Sequence, residues 1–239
     1  MKGIIFDYGA TIDTNGIHWA EVLWRQYVAC GVPVEKEQFR EAYVYGERTM
    51  ALQPLVKPED GFRQVLWIKC NLQWQYLVEK GWLDAAEYPV EKSARLIAEG
   101  AFAYARETVG MALKIVEKLK KKHKLVLVSN FYGNIHTVLK EFGLLCSFEK
   151  VIESSVVGVR KPDPAIFALG VEAMGYAPEE IVVVGDSYAK DMVPAHKVGC
   201  KTVWLKGIGW EKENEPEWLP DAIIHDLAQL PEVIEKMKN

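Results

Sequence analysis

Residues 181–191 read IVVVGDSYAKD: an apolar run from Ile181 to Val184, a glycine at 185, then Asp186 and Ser187. A short, uninterrupted, β-branched run suits a strand covered on both faces, as in a parallel sheet, better than an alternating strand with one wet face. The same grammar recurs through the chain. Gly3 to Phe6 precedes Asp7, Leu125 to Val128 precedes Ser129 and Asn130, and Val151 with Ile152 and Thr202 to Leu205 supply two more runs. Helical patterns lie between them. Asp163 followed by Pro164 starts one, with Phe167 and Val171 on its buried face and Gly175 at its end; another, from about Met111 to Lys122, ends in a cluster of lysines that suits the negative end of a helix dipole. Strands alternating with helices predict an α/β fold, a Rossmann-like parallel sheet with helices on both faces.

The gap between Phe6 and Leu125 is several times a usual crossover, so something is inserted there. The insert reads as four helices: one carrying Trp19, Val22, Leu23 and Tyr27 on one face before Gly31, then segments from about Val34 to Thr49, Pro58 to Lys80 and Pro89 to Arg106. It holds five tryptophans, Trp19, Trp24, Trp67, Trp74 and Trp82, read as the core of a helical subdomain. The expected division is a core of residues 1–14 and 107–239 and an inserted α-helical cap of residues 15–106.

Composition narrows the function. The 239 residues carry 29 Lys plus Arg and 33 Asp plus Glu, a formal net charge of −4, with 49% hydrophobic residues. That is an ordinary globular composition of one to two domains, without the basic excess that nucleic-acid binding needs. The amino-terminal MKGIIFDYG has too short an apolar run for a signal peptide, and no stretch approaches a membrane span, so a cytoplasmic protein with neither nucleic-acid nor membrane partner is expected. Cys30, Cys70, Cys146 and Cys200 lie far apart without metal-ligand spacing and read as reduced core residues.

In an open parallel sheet, ligands bind beyond the carboxyl ends of the strands. Asp7, Ser129 and Asp186 all fall there, and Lys161 follows the strand at Val151 and Ile152. Each alone has an ordinary loop or surface reading. Together they gather two carboxylates, a hydroxyl and a lysine at one edge.

These residues carry a resemblance. IIFDYGATI, LVLVSN, GVRKPDPAIF and VVVGDSYAKD resemble, in order, the four motifs of the haloacid dehalogenase-like hydrolase superfamily, and the insert after the first resembles that family's C1 cap. The resemblance implies Asp7 as a nucleophile that forms an aspartyl phosphate, and Mg²⁺ held by Asp7, Asp186 and the backbone carbonyl of Gly9. Ser129 and Lys161 are implied as binders of the phosphoryl oxygens, with Thr11 and Asn130 as supporting donors. Asp191 is implied on the metal side or as an orienter of Lys161. Ser187 reads equally well as a helix N-cap.

One position departs from the pattern. Family phosphatases usually place a second Asp two residues after the nucleophile, to protonate the leaving group and then activate water; here that position is Gly9, which can do neither. Asp13 and His18 are candidates to replace it, although their plainer readings, a turn residue and a helix-start residue, are preferred. The leading expectation is a Mg²⁺-dependent phosphatase of a small phosphorylated metabolite, monomeric or homodimeric. Three alternatives stay open. They are a non-catalytic or weakly active phosphate-binding protein, a 2-haloacid dehalogenase, and a phosphonate hydrolase using a cap lysine from among Lys36, Lys57, Lys69, Lys80 and Lys92.

Overall fold

In the computed structural model, which describes residues 1–210 and 216–237, Gly3–Phe6 forms the central strand, β1. Four helices follow: α1 (Trp19–Ala29), α2 (Lys36–Leu52), α3 (Phe62–Glu79) and α4 (Val90–Lys120). Then come β2 (Lys124–Ser129), α5 (Ile135–Glu141), β3 (Lys150–Glu153), α6 (Ser154–Val157), α7 (Ala165–Met174), β4 (Ile181–Gly185), α8 (Val193–Val198), β5 (Lys201–Leu205), β6 (Ala222–Ile224) and α9 (Leu230–Lys236). The sheet order is β3-β2-β1-β4-β5-β6 and every pairing is parallel, so the chain winds outward from β1 in both directions. That is the doubly wound arrangement, with its crevice at the carboxyl end of β1.

Two-residue periodicity sorts the strands' side chains onto two buried faces. Ile4, Phe6, Leu125, Leu127, Val182 and Val184 belong to one apolar cluster, shared with α1 to α5 and α9. Ile5, Val126, Val128, Ile152 and Val183 belong to another, shared with α7 and α8. Each such side chain taken fully out of water contributes about 1.5–3 kcal/mol. Covering both faces explains why the strands read as unbroken apolar runs.

The helices at the end of the insert differ from expectation. The helix expected from Pro89 to Arg106 and the one expected from Met111 to Lys122 are a single helix, α4, of 31 residues. At 1.5 Å per residue it runs about 46 Å, packing on α3 at one end and on α9 at the other. Buried Ala94, Ala98, Ala101, Ala105 and Ala112 give it a narrow stripe for close helix packing, and alanine is also the strongest helix former. The division expected at 106/107 therefore falls inside a helix. Trp74 and Phe39 of the insert lie in one continuous apolar cluster with Phe6 and Val184 of the sheet. The tryptophans split: Trp19 and Trp74 are buried, whereas Trp24, Trp67 and Trp82 only pack partly against the cluster.

Smaller differences follow local chemistry. The helix after Asp163 starts at Ala165, whose N–H donates to the Asp163 carboxylate, and ends at Gly175 with φ 70°. The third insert helix starts at Phe62 rather than near Pro58. The edge strand β6, three residues long, was not expected. Cys70 and Cys200 are buried thiols as anticipated, but Cys30 and Cys146 are exposed, since each stands at or near a helix end that faces solvent. Among the described residues no helix is long and apolar enough to cross a membrane.

Candidate active site

Phe6 pairs with Leu127 on one side and Val184 on the other, so the chain leaves the central strand between β2 and β4. Asp7 is the next residue, its N–H still donating to the Val184 carbonyl at 3.0 Å. Ser129 ends β2 and Asp186 follows β4. Adjacent parallel strands thus bring together side chains that are more than a hundred residues apart in sequence. Lys161 reaches the same point from the loop after α6, held there by Asn130. The Asn130 amide donates to the Lys161 carbonyl at 3.0 Å, and its carbonyl accepts the Lys161 N–H at 2.9 Å. Asn130 thereby fixes the backbone of Lys161 with one of its two amide hydrogens.

The Lys161 ammonium is buried 2.6 Å from Asp7 Oδ1 and 2.6 Å from Asp191 Oδ1. Burial would lower its pKa, but the charges of Asp191 and Asp7 outweigh that and raise it, so Lys161 stays cationic. The other Asp191 oxygen accepts the Ser187 N–H at 3.1 Å. Both Asp191 oxygens are thus engaged, one of them by Lys161. Ser187 does cap its turn, accepting from the Lys190 N–H at 3.2 Å. That turn, Tyr188–Met192, is a π-helical one, a widened geometry common at functional sites, and it swings Asp191 back under β4.

Gly185 is required by that approach. A Cβ there would lie 2.5 Å from Asp191 Cγ, inside any real contact distance. Gly185→Ala is expected to displace Asp191 and destabilise the fold by about 1–3 kcal/mol, as overpacking does. An unchanged melting temperature would show that Asp191 is not held by this contact.

Among the described residues no ion pair of Asp186 is found within salt-bridge distance. Burial, then the charges of Asp191 and Asp7, push its carboxyl well above the ordinary range. Thr11 Oγ1 sits between the carboxylates, 3.4 Å from Asp7 Oδ2 and 3.4 Å from Asp186 Oδ1. One oxygen from each of Asp7, Asp186 and Asp191 lies within 4.8 Å of the others, a spacing that suits one cation. Gly9 lines the same cavity with an ordinary backbone conformation, and a Cβ built on it meets nothing within 4 Å.

The two candidate substitutes for the missing acid have structural work. Asp13 is buried, accepting the Ala10 N–H on one oxygen at 2.6 Å and the Trp19 indole N–H on the other at 2.8 Å. Burial lifts its carboxyl to about 7 against the pull of those bonds. His18 is the N-cap of α1, its Nδ1 accepting from the Ala20 N–H. The plainer reading of each matches these contacts.

The crevice widens into a cavity of about 1350 Å³ between the sheet edge and the inserted helices. Arg48, Arg160, Lys190 and Lys206 are among its lining residues, a cationic set that favours entry of an anion. Deeper lie Tyr43 and Glu47 from α2, Lys69 from α3 and Tyr132 from the loop after β2. Of these, only Lys69 was singled out above, without distinction from four other lysines. A signal existed: Phe62, Val65, Leu66, Lys69, Cys70, Gln73 and Leu77 share one helical face, so Lys69 interrupts an apolar stripe. Nothing in the sequence marks Glu47 or Tyr132.

Fold and site together define an α/β protein with an acidic, lysine-gated centre beyond the central strand of a doubly wound sheet. The chain belongs to the haloacid dehalogenase-like hydrolase family, which matches residues 1–199. It is 35% identical over 168 residues to the glyceraldehyde 3-phosphate phosphatase of Pyrococcus furiosus, covering 68% of this chain and 69% of that one. It is 38% identical over 89 residues to the phosphoserine phosphatase of Thermus thermophilus, covering 37% of this chain and 34% of that one. Bacillus subtilis YfnB, solved bound to magnesium, superposes with a TM-score of 0.60 at 18% identity and 98% coverage of both chains, a likeness of fold. The protein is a hydrolase, and its relatives are consistent with phosphoric monoester hydrolysis.

Proposed function

We propose that the protein is a Mg²⁺-dependent phosphatase of a small phosphorylated metabolite, working through a phosphorylated Asp7, with the inserted helices as its cap. The observation that carries this reading is the distribution of charge around Asp7. Lys161 pairs with Asp7 and Asp191, and Asp186 is crowded beside these carboxylates, whose charges outweigh the pull of Lys161 on it. Hard carboxylate oxygens at that spacing fit Mg²⁺, which Asp7, Asp186 and the Gly9 carbonyl would hold. Bound there, Mg²⁺ would offset the charge of the phosphoryl oxygens.

The chain's own residues supply the rest. An Asp7 carboxylate oxygen attacks phosphorus, the ester P–O bond breaks, and the alcohol leaves with its electron pair and takes a proton from solvent. Lys161 and the Ser129 hydroxyl hold the equatorial oxygens. Asp191 keeps the Lys161 ammonium aimed, and Asn130 keeps its backbone in place. Water then attacks the phosphoryl group on Asp7 and releases phosphate. Neither half-reaction has an acid at position 9.

One observation weighs against an alternative. A phosphonate hydrolase needs a neutral lysine to form an imine, yet the buried Lys69 ammonium is gripped by Glu47 at 2.6 Å. Burial would lower its pKa, but Glu47 and the neighbouring tyrosines raise it well above the ordinary value.

Asp186→Asn is expected to lower Mg²⁺ affinity at least roughly tenfold, since ligand charge sets affinity at an oxygen site. Titration calorimetry with Mg²⁺ alone reads this directly. Mg²⁺ binding that survives the substitution, or phosphate release indifferent to a chelator, would overturn the metal assignment. A protein that binds Mg²⁺ and phosphate yet releases none from any ester would be the non-catalytic alternative.

A further inference from the structure

The cavity holds a second charged centre that the chemistry at Asp7 does not use. Lys69 and Glu47 form an ion pair at 2.6 Å, with the Lys69 side chain 7% exposed and that of Glu47 33% exposed. The Tyr132 hydroxyl donates to the second Glu47 oxygen at 3.2 Å, and the Lys69 ammonium lies 5.9 Å and 5.7 Å from the rings of Tyr43 and Tyr132. The pair is built from α2 and α3 of the insert and closed by a residue of the loop after β2. Asp7, Lys161 and Asp186 line the same cavity.

Burying such a pair is costly, and apolar residues of the same volume commonly serve a helix interface as well or better. Lys69 interrupts the apolar face of α3, where a leucine or methionine would pack. Placing the pair on a cavity wall instead of a closed interface points to a ligand.

We propose that Glu47 and Lys69 recognise the leaving group and select phosphate esters whose alcohol is uncharged and carries further hydroxyls, as in a polyol or open-chain sugar phosphate. This rests on the phosphatase reading above and names its substrate class. The pair is neutral as a unit, so it offers no net charge to a charged leaving group. A lone carboxylate placed there would meet Glu47 as well as Lys69, a lone ammonium Lys69 as well as Glu47, and a zwitterion would have to break the 2.6 Å pair to match both. A hydroxyl suits both, because it donates to a carboxylate while accepting from an ammonium. Lysine has three donors and a carboxylate about four acceptor positions, so their mutual contact and that with Tyr132 leave both able to bond a ligand. The rings of Tyr43 and Tyr132 supply apolar walls for the carbon chain between hydroxyls.

The test is phosphate release, with Mg²⁺, from four esters: ribitol 5-phosphate (hydroxylated, uncharged), 3-phosphoglycerate (carboxylate), phosphoserine (zwitterion) and p-nitrophenyl phosphate (no hydroxyl). Wild type is expected to favour ribitol phosphate over the two charged alkyl esters. In Glu47→Gln and, separately, Lys69→Met, the ratio of kcat/KM for ribitol phosphate to that for p-nitrophenyl phosphate is expected to fall roughly 10- to 100-fold, the worth of a hydrogen bond to a charged group. A ratio unchanged in both variants, or a wild type that prefers either charged alkyl ester, overturns the inference and leaves the phosphatase reading intact. No release from any of the four esters by wild type overturns both.

Discussion

Asp7→Asn is expected to fold and to lose turnover by on the order of 10⁴-fold or more, as loss of a nucleophile does. The carboxylate ends the central strand with one oxygen on Lys161 and the other near Thr11, so an amide of the same shape keeps the packing. It loses the anionic, nucleophilic oxygen and most of its value as a metal ligand. Lys161 keeps its second partner, Asp191, at 2.6 Å, so the substitution does not strand a buried cation. Thermal melting separates loss of chemistry from loss of fold. Hydrolysis near the wild-type rate by a folded Asp7→Asn protein would remove Asp7 from the mechanism.

Gly9→Asp is the converse experiment, with an expected gain. A positioned general acid contributes roughly 10²–10⁴ in rate, most for alcohols that leave badly without a proton. The site is open to one, since a Cβ at Gly9 meets nothing within 4 Å and the backbone there is not in the left-handed region that would strain a side chain. The wild type is therefore expected to show a steep fall of kcat/KM with leaving-group pKa across a series of aryl and alkyl phosphates. Gly9→Asp is expected to flatten it by raising the alkyl esters. A shallow wild-type slope would mean that another group already supplies the proton. Asp13, with its carboxyl lifted to about 7, would then be examined through Asp13→Asn, whose amide cannot accept from both Ala10 and Trp19.

Much of this protein is legible in its sequence because the relevant physics is local. Runs such as Ile181 to Val184 need burial on both faces, which dictates a parallel sheet, and in such a sheet the residues just past the strands gather at one edge. Asp7, Ser129 and Asp186 are identifiable on that ground from the sequence, and Ser187 as an N-cap. What the sequence could not decide depends on distances between segments that have no local signature. That α4 is one helix of 31 residues follows from packing on α3 and α9 at its two ends, since nothing within Arg106 to Met111 distinguishes a break from a continuation. The split of the cysteines follows from which helix ends meet solvent. That the Asn130 amide also holds the loop carrying Lys161 follows from the return of that loop to β2. Glu47, Lys69 and Tyr132 come from three separate elements, and only the fold makes them one charged wall opposite Asp7, because ion pairing depends on proximity across the cavity, to which the order of residues along the chain is blind.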